Sequence, residues 1–198
     1  MGNFKVKDHY FDKAKRENYL ARSIYKLEEI DQRYKVLKPG MQVVDLGYYP
    51  GSWIQYTSKV IGDEGRVIGI DIQEVNTKLS GVKNVRIYQK DIFDISDLAQ
   101  LEVSQAFDCV LSDMAPSTTG VQSLDQIRSL NLVESVFALL PKFLLPGGNF
   151  VIKVFDSQNA QNYLKEQKNL FNEFHYLKPK STRSVSKEFF VIGKNFKA

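Results

Sequence analysis

The sequence is poor in the side chains that form disulfide bonds and bind metal ions. It contains one cysteine, Cys109, and two histidines, His9 and His175, among 198 residues. A single cysteine excludes an internal disulfide, and the apolar neighbours in 107–111 predict a buried core residue in a reducing compartment. Because the histidines are far apart and no cysteine or histidine cluster accompanies them, the sequence does not indicate a metal site.

Long apolar runs are also missing. No stretch approaches the roughly 20 apolar residues that a membrane-spanning helix needs, and residues 1–5 do not resemble a signal peptide. Hydrophobic residues make up 43% of the chain and charged residues 25%, which is typical of a globular protein. We therefore expect one domain over residues 1–198, and a monomeric, cytoplasmic protein without a membrane partner.

Basic residues are concentrated towards the two ends of the sequence. Residues 1–38 hold ten Lys or Arg against six Asp or Glu, and residues 175–198 hold six against the single acid Glu188. The central residues 39–174 carry eleven basic and sixteen acidic side chains. The basic ends are either solvated tails or, if the fold brings them together, one surface for a polyanion such as RNA.

Short apolar runs alternate with helical patterns along the chain. A basic helical segment within 1–38, with its helix over 9–35, comes before the turn at Pro39-Gly40. Strands are then predicted at 42–46, 66–70, 85–88, 107–112, 149–155, 175–178 and 188–192, and helices at 52–61, 95–102, 127–143 and 159–172. This alternation predicts a doubly wound, mostly parallel α/β sheet of seven strands. The short connection between the last two strands predicts an antiparallel hairpin that closes the sheet edge.

The segment 45–53, Asp-Leu-Gly-Tyr-Tyr-Pro-Gly-Ser-Trp, follows the first predicted strand directly. Gly47 and Gly51 let the backbone turn tightly and present N–H groups to a ligand, at the start of a predicted helix. The loop lacks the Gly-x-Gly-x-x-Gly pattern of dinucleotide sites, which disfavours a nucleotide-dependent oxidoreductase. We interpret Tyr48 and Tyr49 as padding, one packed beneath the loop and the other at the pocket edge.

Four successive predicted strands are closed by an acid, namely Asp45, Asp71, Asp91 and Asp113. Ligands of open α/β sheets bind at the carboxyl ends of the strands, where these side chains meet. The position of Asp71 suits ribose hydroxyls, and Asp91 is placed to accept from an adenine amino group. Several acids with few cationic donors favour a positively charged ligand. We therefore expect S-adenosylmethionine, which carries a sulfonium and an ammonium, to bind here.

Five segments, in order, resemble the motifs of one family, the FtsJ/RrmJ RNA 2′-O-ribose methyltransferases. These segments are ARSIYKLEEI at 21–30, KPGMQVVDLGYYPGSWIQY at 38–56, SDMAP at 112–116, PGGNFVIKVF at 146–155 and STRSVSKEFFVI at 181–192. The resemblance implies a methyltransferase acting on a ribose 2′-hydroxyl, of a uridine in large-subunit ribosomal RNA, with Trp53 among the cofactor-site residues. The alternatives are a tRNA or mRNA substrate, or a non-catalytic ribosome-assembly module. Where this chain has Tyr48-Tyr49, family members carry small residues.

The resemblance also implies a catalytic tetrad of Lys26, Asp113, Lys153 and Glu188. Lys153 interrupts an apolar strand, so it is either snorkelling outward or desolvated and functional. A lysine beside a ribose 2′-hydroxyl can take its proton or stabilise the alkoxide that develops. In this hypothesis Asp113 holds Lys153, Lys26 adds positive charge and Glu188 orients the lysines. Taken alone, Lys26 is typical of a solvent-facing helix residue and Glu188 of a surface ion-pair partner.

The two basic ends supply the candidate RNA contacts. Lysines and arginines of both ends are predicted to bind phosphates: Lys5, Lys7, Lys13, Lys15, Arg16, Arg22, Lys178, Lys180 and Arg183. Tyr19 and Tyr25 are either base-stacking surfaces or core residues.

Overall fold

A seven-stranded sheet forms the centre of the computed structural model, which describes residues 9–116 and 119–197. Its strands are β1 (Gln42–Leu46), β2 (Arg66–Asp71), β3 (Val85–Gln89), β4 (Phe107–Ser112), β5 (Leu144–Phe155), β6 (Phe171–Leu177) and β7 (Glu188–Phe196). They lie in the order β3-β2-β1-β4-β5-β7-β6, and the first five pair in parallel. The predicted fold class is therefore confirmed.

The predicted hairpin of the last two strands is antiparallel, but only one of its strands lies at the sheet edge. β7 is inserted between β5 and β6 and runs antiparallel to both. Its register places Glu188 opposite Phe155 and Phe190 opposite Lys153. Because residues two apart on a strand share a face, Lys153 and Glu188 point to the same side of the sheet.

Five α-helices of the described residues flank the sheet. They are α1 (His9–Arg16), α2 (Ile24–Tyr34), α3 (Ser52–Ile61), α4 (Gln122–Phe143) and α5 (Gln158–Gln167). The prediction of one helix over 9–35 was wrong, because the chain breaks between α1 and α2 and Asn18 adopts a φ of 59°. Gln55 of α3 bonds this break from both sides, accepting from the Leu20 N–H at 2.9 Å and donating to the Asn18 carbonyl at 3.2 Å.

The helix predicted over 95–102 is absent as an α-helix. The chain instead forms two short 3₁₀ turns, Ile92–Asp94 and Leu98–Leu101, each preceded by an aspartate that accepts from a backbone N–H within the turn. Such side-chain bonds stabilise isolated turns and compete with a continuous helix. The helix predicted over 159–172 ends earlier, at Gln167, because Phe171 already begins β6.

Apolar side chains fill both faces of the sheet. On one face α4 and α5 bury Phe137, Leu140 and Leu164 against β4 and β5. On the other face α2 and α3 cover a second cluster that includes the single cysteine, Cys109, as predicted. Within the two described ranges, no helix is both long and apolar enough to cross a membrane.

Candidate active site

A cavity of about 740 Å³ opens at the carboxyl ends of β1 to β4. Of the predicted cofactor residues, Gly47, Asp71, Asp91 and Asp113 line it. Residues from four strand ends meet here because parallel strands finish at the same edge of a sheet. The predicted position of the cofactor site therefore coincides with an open cavity.

Glycine is required at two points of the loop that follows β1. Gly47 has a φ of 72°, and a Cβ atom there would lie 2.1 Å from Cγ of Met114. Gly51 has a φ of 113°, and its Cβ would lie 2.4 Å from Cδ1 of Leu79. Both the left-handed backbone and the lack of space exclude larger side chains.

The two tyrosines of this loop have different roles. Tyr48 is buried, its ring packs against Gly69, and its hydroxyl oxygen accepts from the Asn76 N–H at 3.2 Å. Tyr49 is 50% exposed and lines the cavity. The interpretation of one tyrosine beneath the loop and one at the pocket edge is confirmed.

Asp71 connects the loop to the end of β2. One carboxylate oxygen accepts from the Tyr49 N–H at 2.9 Å, and the other accepts from the Gln73 N–H at 2.9 Å. Asp91 similarly accepts from the Phe93 N–H at 3.0 Å. Because each carboxylate oxygen has two lone pairs, both side chains can still accept from a ligand.

The side chains of Asp45 and Trp53 lie outside the cavity lining, unlike the other predicted cofactor residues. Trp53 is buried and its Nε1 donates to the Ser23 carbonyl at 2.9 Å, which fastens α3 to the segment before α2. The Trp53 side chain therefore has a packing role here, and its contact with the cofactor stays a prediction. Gly51, directly before α3, has no side chain to offer and is also absent from the lining.

Asp45 is fully buried behind the loop. Neither of its carboxylate oxygens has a hydrogen-bond partner among the described residues. Burial, together with the nearby Asp113 and Asp71 carboxylates, raises the pKa of Asp45 well above its usual value. The prediction that Asp45 contacts the cofactor therefore finds no support in its position, since the β1 strand turns the side chain inward.

Lys26, Asp113, Lys153 and Glu188 come together at one end of the cavity, where Asp113 is part of the lining. Nζ of Lys153 lies 3.1 Å from Oδ1 of Asp113, and it also donates to the Asp113 carbonyl. Nζ of Lys26 lies 2.5 Å from Oε1 of Glu188 and 4.0 Å from Oδ1 of Asp113. Their side chains are between 9% and 17% exposed, so this tetrad forms one largely buried charge network.

Four separate elements position this tetrad. Lys26 lies on α2, Asp113 follows β4, Lys153 lies on β5 and Glu188 begins β7. The Lys26 ammonium also lies 5.6 Å from the centre of the Phe190 ring, a cation–π distance. Since every contact joins elements distant in sequence, the network forms only in the folded sheet.

Glu188 is charged at neutral pH. Burial pushes the pKa of its carboxyl upward, but the attraction of Lys26 and Lys153 outweighs burial and leaves the pKa below its usual value. A carboxyl whose pKa is depressed by folding stabilises the folded state above its unfolded pKa and loses that contribution as the pH falls. The Lys26–Glu188 pair is therefore intact near neutrality.

The two basic ends of the chain meet beside the tetrad. Arg22 donates to the Ser181 carbonyl, and the Lys180 N–H donates to Glu29 at 2.8 Å. Of the other predicted RNA residues, Lys178 donates to the Ser186 carbonyl at 2.7 Å, and Lys13 lies 4.2 Å from the centre of the Tyr25 ring. The contacts of Arg22 with Ser181 and of Lys180 with Glu29 bring the two ends together. Arg183 lies on the same loop as Lys178. A separate groove on α1 is lined by Lys15 and Arg16. Lys5 and Lys7 lie outside the described residues.

Sequence reasoning missed part of the cavity wall. Exposed Ile72 and Phe93 line it beside the strand-end acids, where an apolar residue after each acid was an available signal. Arg128, Asn131 and Leu132 reach the cavity from α4, and nothing in their sequence pattern marks them.

Tyr25 is buried, and its hydroxyl donates to Glu17 at 2.7 Å, which favours packing over base stacking. In the part of the chain that the structure describes, no group of three His, Cys, Asp or Glu residues could hold a metal ion.

Comparison with known proteins points to one family. The family model described as FtsJ-like methyltransferase matches residues 19–196. A protein of Oleidesulfovibrio alaskensis named ribosomal RNA large subunit methyltransferase E is 48% identical over 195 residues, which are 98% of this chain and 93% of that protein.

Solved structures agree with this match. The structure titled as a putative ribosomal RNA methyltransferase from Plasmodium falciparum has a TM-score of 0.78 and 28% identity, over 90% of this chain and 98% of that one. Aeropyrum pernix fibrillarin, solved with natively bound S-adenosylmethionine, shares the fold with a TM-score of 0.63 and 14% identity, over 86% of this chain and 76% of that one.

Proposed function

The chain belongs to the FtsJ-like methyltransferase family, and we propose that it methylates a ribose 2′-hydroxyl of large-subunit ribosomal RNA, at a uridine, with S-adenosylmethionine as the methyl donor. The observation that carries this proposal is the buried tetrad of Lys26, Asp113, Lys153 and Glu188 at the end of the cavity. The name of the bacterial relative supports ribosomal RNA over tRNA or mRNA.

The volume of the cavity and the three acids in its wall support S-adenosylmethionine as the ligand. Its volume of about 740 Å³ lies within the usual range for cofactor sites. In this proposal Asp71 and Asp91 bind the ribose and the adenine, Ile72 and Phe93 pack against the adenine ring, and Asp113 lies near the sulfonium. The support for it is that all five residues line the cavity. When bound, S-adenosylmethionine supplies an electrophilic methyl group, and the remaining chemistry falls to the protein.

The tetrad acts on the ribose hydroxyl. A 2′-hydroxyl is a weak acid, so its oxygen attacks a methyl group only as its proton leaves or as the charge on the oxygen is stabilised. Lys153 is held by an ion pair with the Asp113 carboxylate and by a hydrogen bond to the Asp113 carbonyl. As an ammonium it stabilises the alkoxide, and it receives the hydroxyl proton only after it has itself lost a proton and become the neutral amine. Lys26, held by Glu188, adds a second positive charge to the same site.

A single copy of the chain supplies the whole site. The four tetrad residues contact one another within one polypeptide, and we propose a monomeric enzyme. The ribosomal RNA named for the bacterial relative supports a cytoplasmic location.

Replacing Asp71 by alanine should weaken S-adenosylmethionine binding by about 1–3 kcal/mol, because hydrogen bonds to a charged group are removed. The variant also removes the acceptor that holds the Tyr49 N–H. Isothermal calorimetry measures the effect, with the exposed acid Glu74→Ala as the matched control. Equal affinities of Asp71→Ala and the parent for S-adenosylmethionine would contradict the role of Asp71 in cofactor binding. Tighter binding of NAD than of S-adenosylmethionine would contradict S-adenosylmethionine as the cofactor.

RNA binding should weaken steeply with salt, because basic residues displace counterions from phosphates. Reversing the charges of Lys13, Arg16, Lys178 and Lys180 should flatten the slope of log affinity against log salt by about 0.7–0.9 for each phosphate that the variant no longer binds. The control reverses exposed basic residues near the opposite edge of the sheet, which β3 forms: Lys59, Arg66, Lys83 and Arg86. An unchanged slope in the first variant would place the RNA on another face.

The direct test is methyl transfer itself. The pure protein is incubated with labelled S-adenosylmethionine and large ribosomal subunits from cells lacking the enzyme, and the labelled nucleotide is mapped. Label on a ribose 2′-oxygen of a uridine in large-subunit RNA is the expected result. Methyl transfer to tRNA or mRNA alone would contradict ribosomal RNA as the substrate. Binding of ribosomal subunits without methyl transfer would favour a non-catalytic role in ribosome assembly.

A further inference from the structure

An aromatic surface lies on the face of the sheet that carries α5, directly behind the tetrad. Tyr176 on β6 is 49% exposed, and its ring centre lies 5.9 Å from that of Phe189 on β7. Phe174 supports Tyr176 from the other side at 5.6 Å. Because Phe189 follows Glu188 within a strand, the two side chains point to opposite faces. The aromatic surface therefore begins one residue away from the tetrad, around the end of the strand.

Two grooves connect this surface with the tetrad. The first, of about 400 Å³, is lined by Tyr176, Phe189, Asp156, Gln161 and Lys165. The second, of about 420 Å³, is lined by Lys178, residues 184–188, and the same Asp156 and Phe189. The grooves share Asp156 and Phe189, so they adjoin at the end of β5 and together reach from Glu188 to Tyr176. We call the two adjoining grooves the flanking channel.

Positive charge dominates the flanking channel. Lys165, Lys178 and Lys187 are exposed along its walls. Lys178 donates one hydrogen bond to the Ser186 carbonyl, which fixes the ammonium at the wall and leaves two donors. Of the two acids of the channel, Glu188 is paired with Lys26, whereas Asp156 accepts from the neutral amide of Gln161 at 2.7 Å and keeps its charge, so three lysines face one uncompensated carboxylate.

We propose that the flanking channel binds the single-stranded RNA segment next to the target nucleotide, with one base stacked on Tyr176 and Phe189. Lys165, Lys178 and Lys187 contact the phosphates of that segment. The inference rests on the proposed function, because the channel starts at the site where the ribose hydroxyl must lie. Aromatic platforms in basic grooves bind single strands through the π-faces of the bases, with little dependence on sequence. Charge complementarity and continuity with the tetrad favour RNA over a protein as the occupant.

Fluorescence reports on the stacking directly. The only tryptophan of the chain, Trp53, is buried, so the variant Tyr176→Trp adds one exposed indole at the channel. Titration with oligouridylates of about 4 and about 16 nucleotides brackets the usual site size of single-strand binding. The longer oligomer should quench the added indole, because a base stacks on it, and the buried Trp53 of the parent should not respond.

Affinity gives the second readout. Tyr176→Ala should weaken binding of the longer oligouridylate by about 5- to 100-fold, the effect expected for removing one stacked base, whereas Tyr176→Phe keeps the ring and the affinity. The matched control is Tyr34→Ala, a partly buried tyrosine that stacks on His175. Melting temperatures of all variants, and calorimetry with S-adenosylmethionine, exclude a general loss of structure.

Three outcomes would overturn the inference or separate it from the proposed function. If the longer oligouridylate neither quenches the indole of Tyr176→Trp nor binds Tyr176→Ala more weakly, the flanking channel does not bind single-stranded RNA. Methyl transfer by the parent to ribosomal subunits would then still support the proposed function. Weaker binding of Tyr176→Ala to intact subunits, without any change for oligouridylate, would assign the surface to a protein instead. Quenching in a protein that transfers no methyl group would support the channel while contradicting the proposed function.

Discussion

Replacing Lys153 by alanine should lower the single-turnover rate of methyl transfer by at least about 10²-fold, the effect typical of removing a positioned proton acceptor. Asp113 holds Nζ of Lys153 through its carboxylate, with Oδ1 at 3.1 Å, and through its backbone carbonyl. The strand that carries Lys153 lies between β4 and β7. Cofactor and RNA affinities should change little, because the interaction is needed in the transition state. Quench-flow methylation with saturating RNA and S-adenosylmethionine measures the chemical step.

Lys153→Arg separates the two roles that a lysine can have here. A guanidinium remains charged and cannot accept a proton, so the arginine variant should stay inactive if Lys153 is the base. Substantial activity of Lys153→Arg would leave an electrostatic role only, and full activity of Lys153→Ala would remove Lys153 from the mechanism. A thermal unfolding comparison is needed, because Lys153→Ala leaves the Asp113 carboxylate without its nearest cation.

Tyr48→Ala should reduce the free energy of unfolding by about 3–5 kcal/mol, the cost of removing a buried aromatic ring. The ring fills the space over Gly69 and its hydroxyl is bonded to the Asn76 N–H, so alanine can replace neither interaction. Urea denaturation measures the reduction. Because Tyr48 underlies the cofactor loop, S-adenosylmethionine should also bind more weakly to the folded variant.

Tyr49→Ala is the matched control on the adjacent residue. Half of the Tyr49 side chain is in solvent, so its removal should change the free energy of unfolding by no more than about 0.5 kcal/mol. Tyr48→Phe should lose only the hydrogen bond, about 1 kcal/mol. Equal stability of Tyr48→Ala and Tyr49→Ala would contradict the two roles.

The parts that sequence reasoning predicted correctly depend on local patterns. Alternating apolar runs predicted the class of sheet, and the strand-end acids Asp71, Asp91 and Asp113 predicted the cavity edge, because parallel strands must finish together. The helix over 52–61 was predicted with its observed bounds, since Gly51 and Gly62 mark both ends.

The parts that it missed depend on contacts between distant residues. The break between α1 and α2 is stabilised by two hydrogen bonds of the Gln55 side chain, which lies more than thirty residues further along the chain. No local sequence pattern predicts these hydrogen bonds. The inward direction of Asp45 and the packing of Trp53 against Phe190 likewise follow from which face of each element the tertiary fold covers. Arg128 and Asn131 line the cavity from α4, a placement that depends on how α4 packs against β4 and β5.

The place of β7 between β5 and β6 makes the order of synthesis matter. A ribosome produces β6 before β7, so β6 has no neighbouring strand until β7 emerges and fills the position between β6 and β5. The half of the sheet from β1 to β4, with most of the cofactor cavity, contains no such gap. A nascent chain can therefore form the cofactor half first, but the strand that completes the sheet also brings Glu188 to Lys26. Catalytic competence and closure of the sheet are then a single late event in the life of each newly made chain.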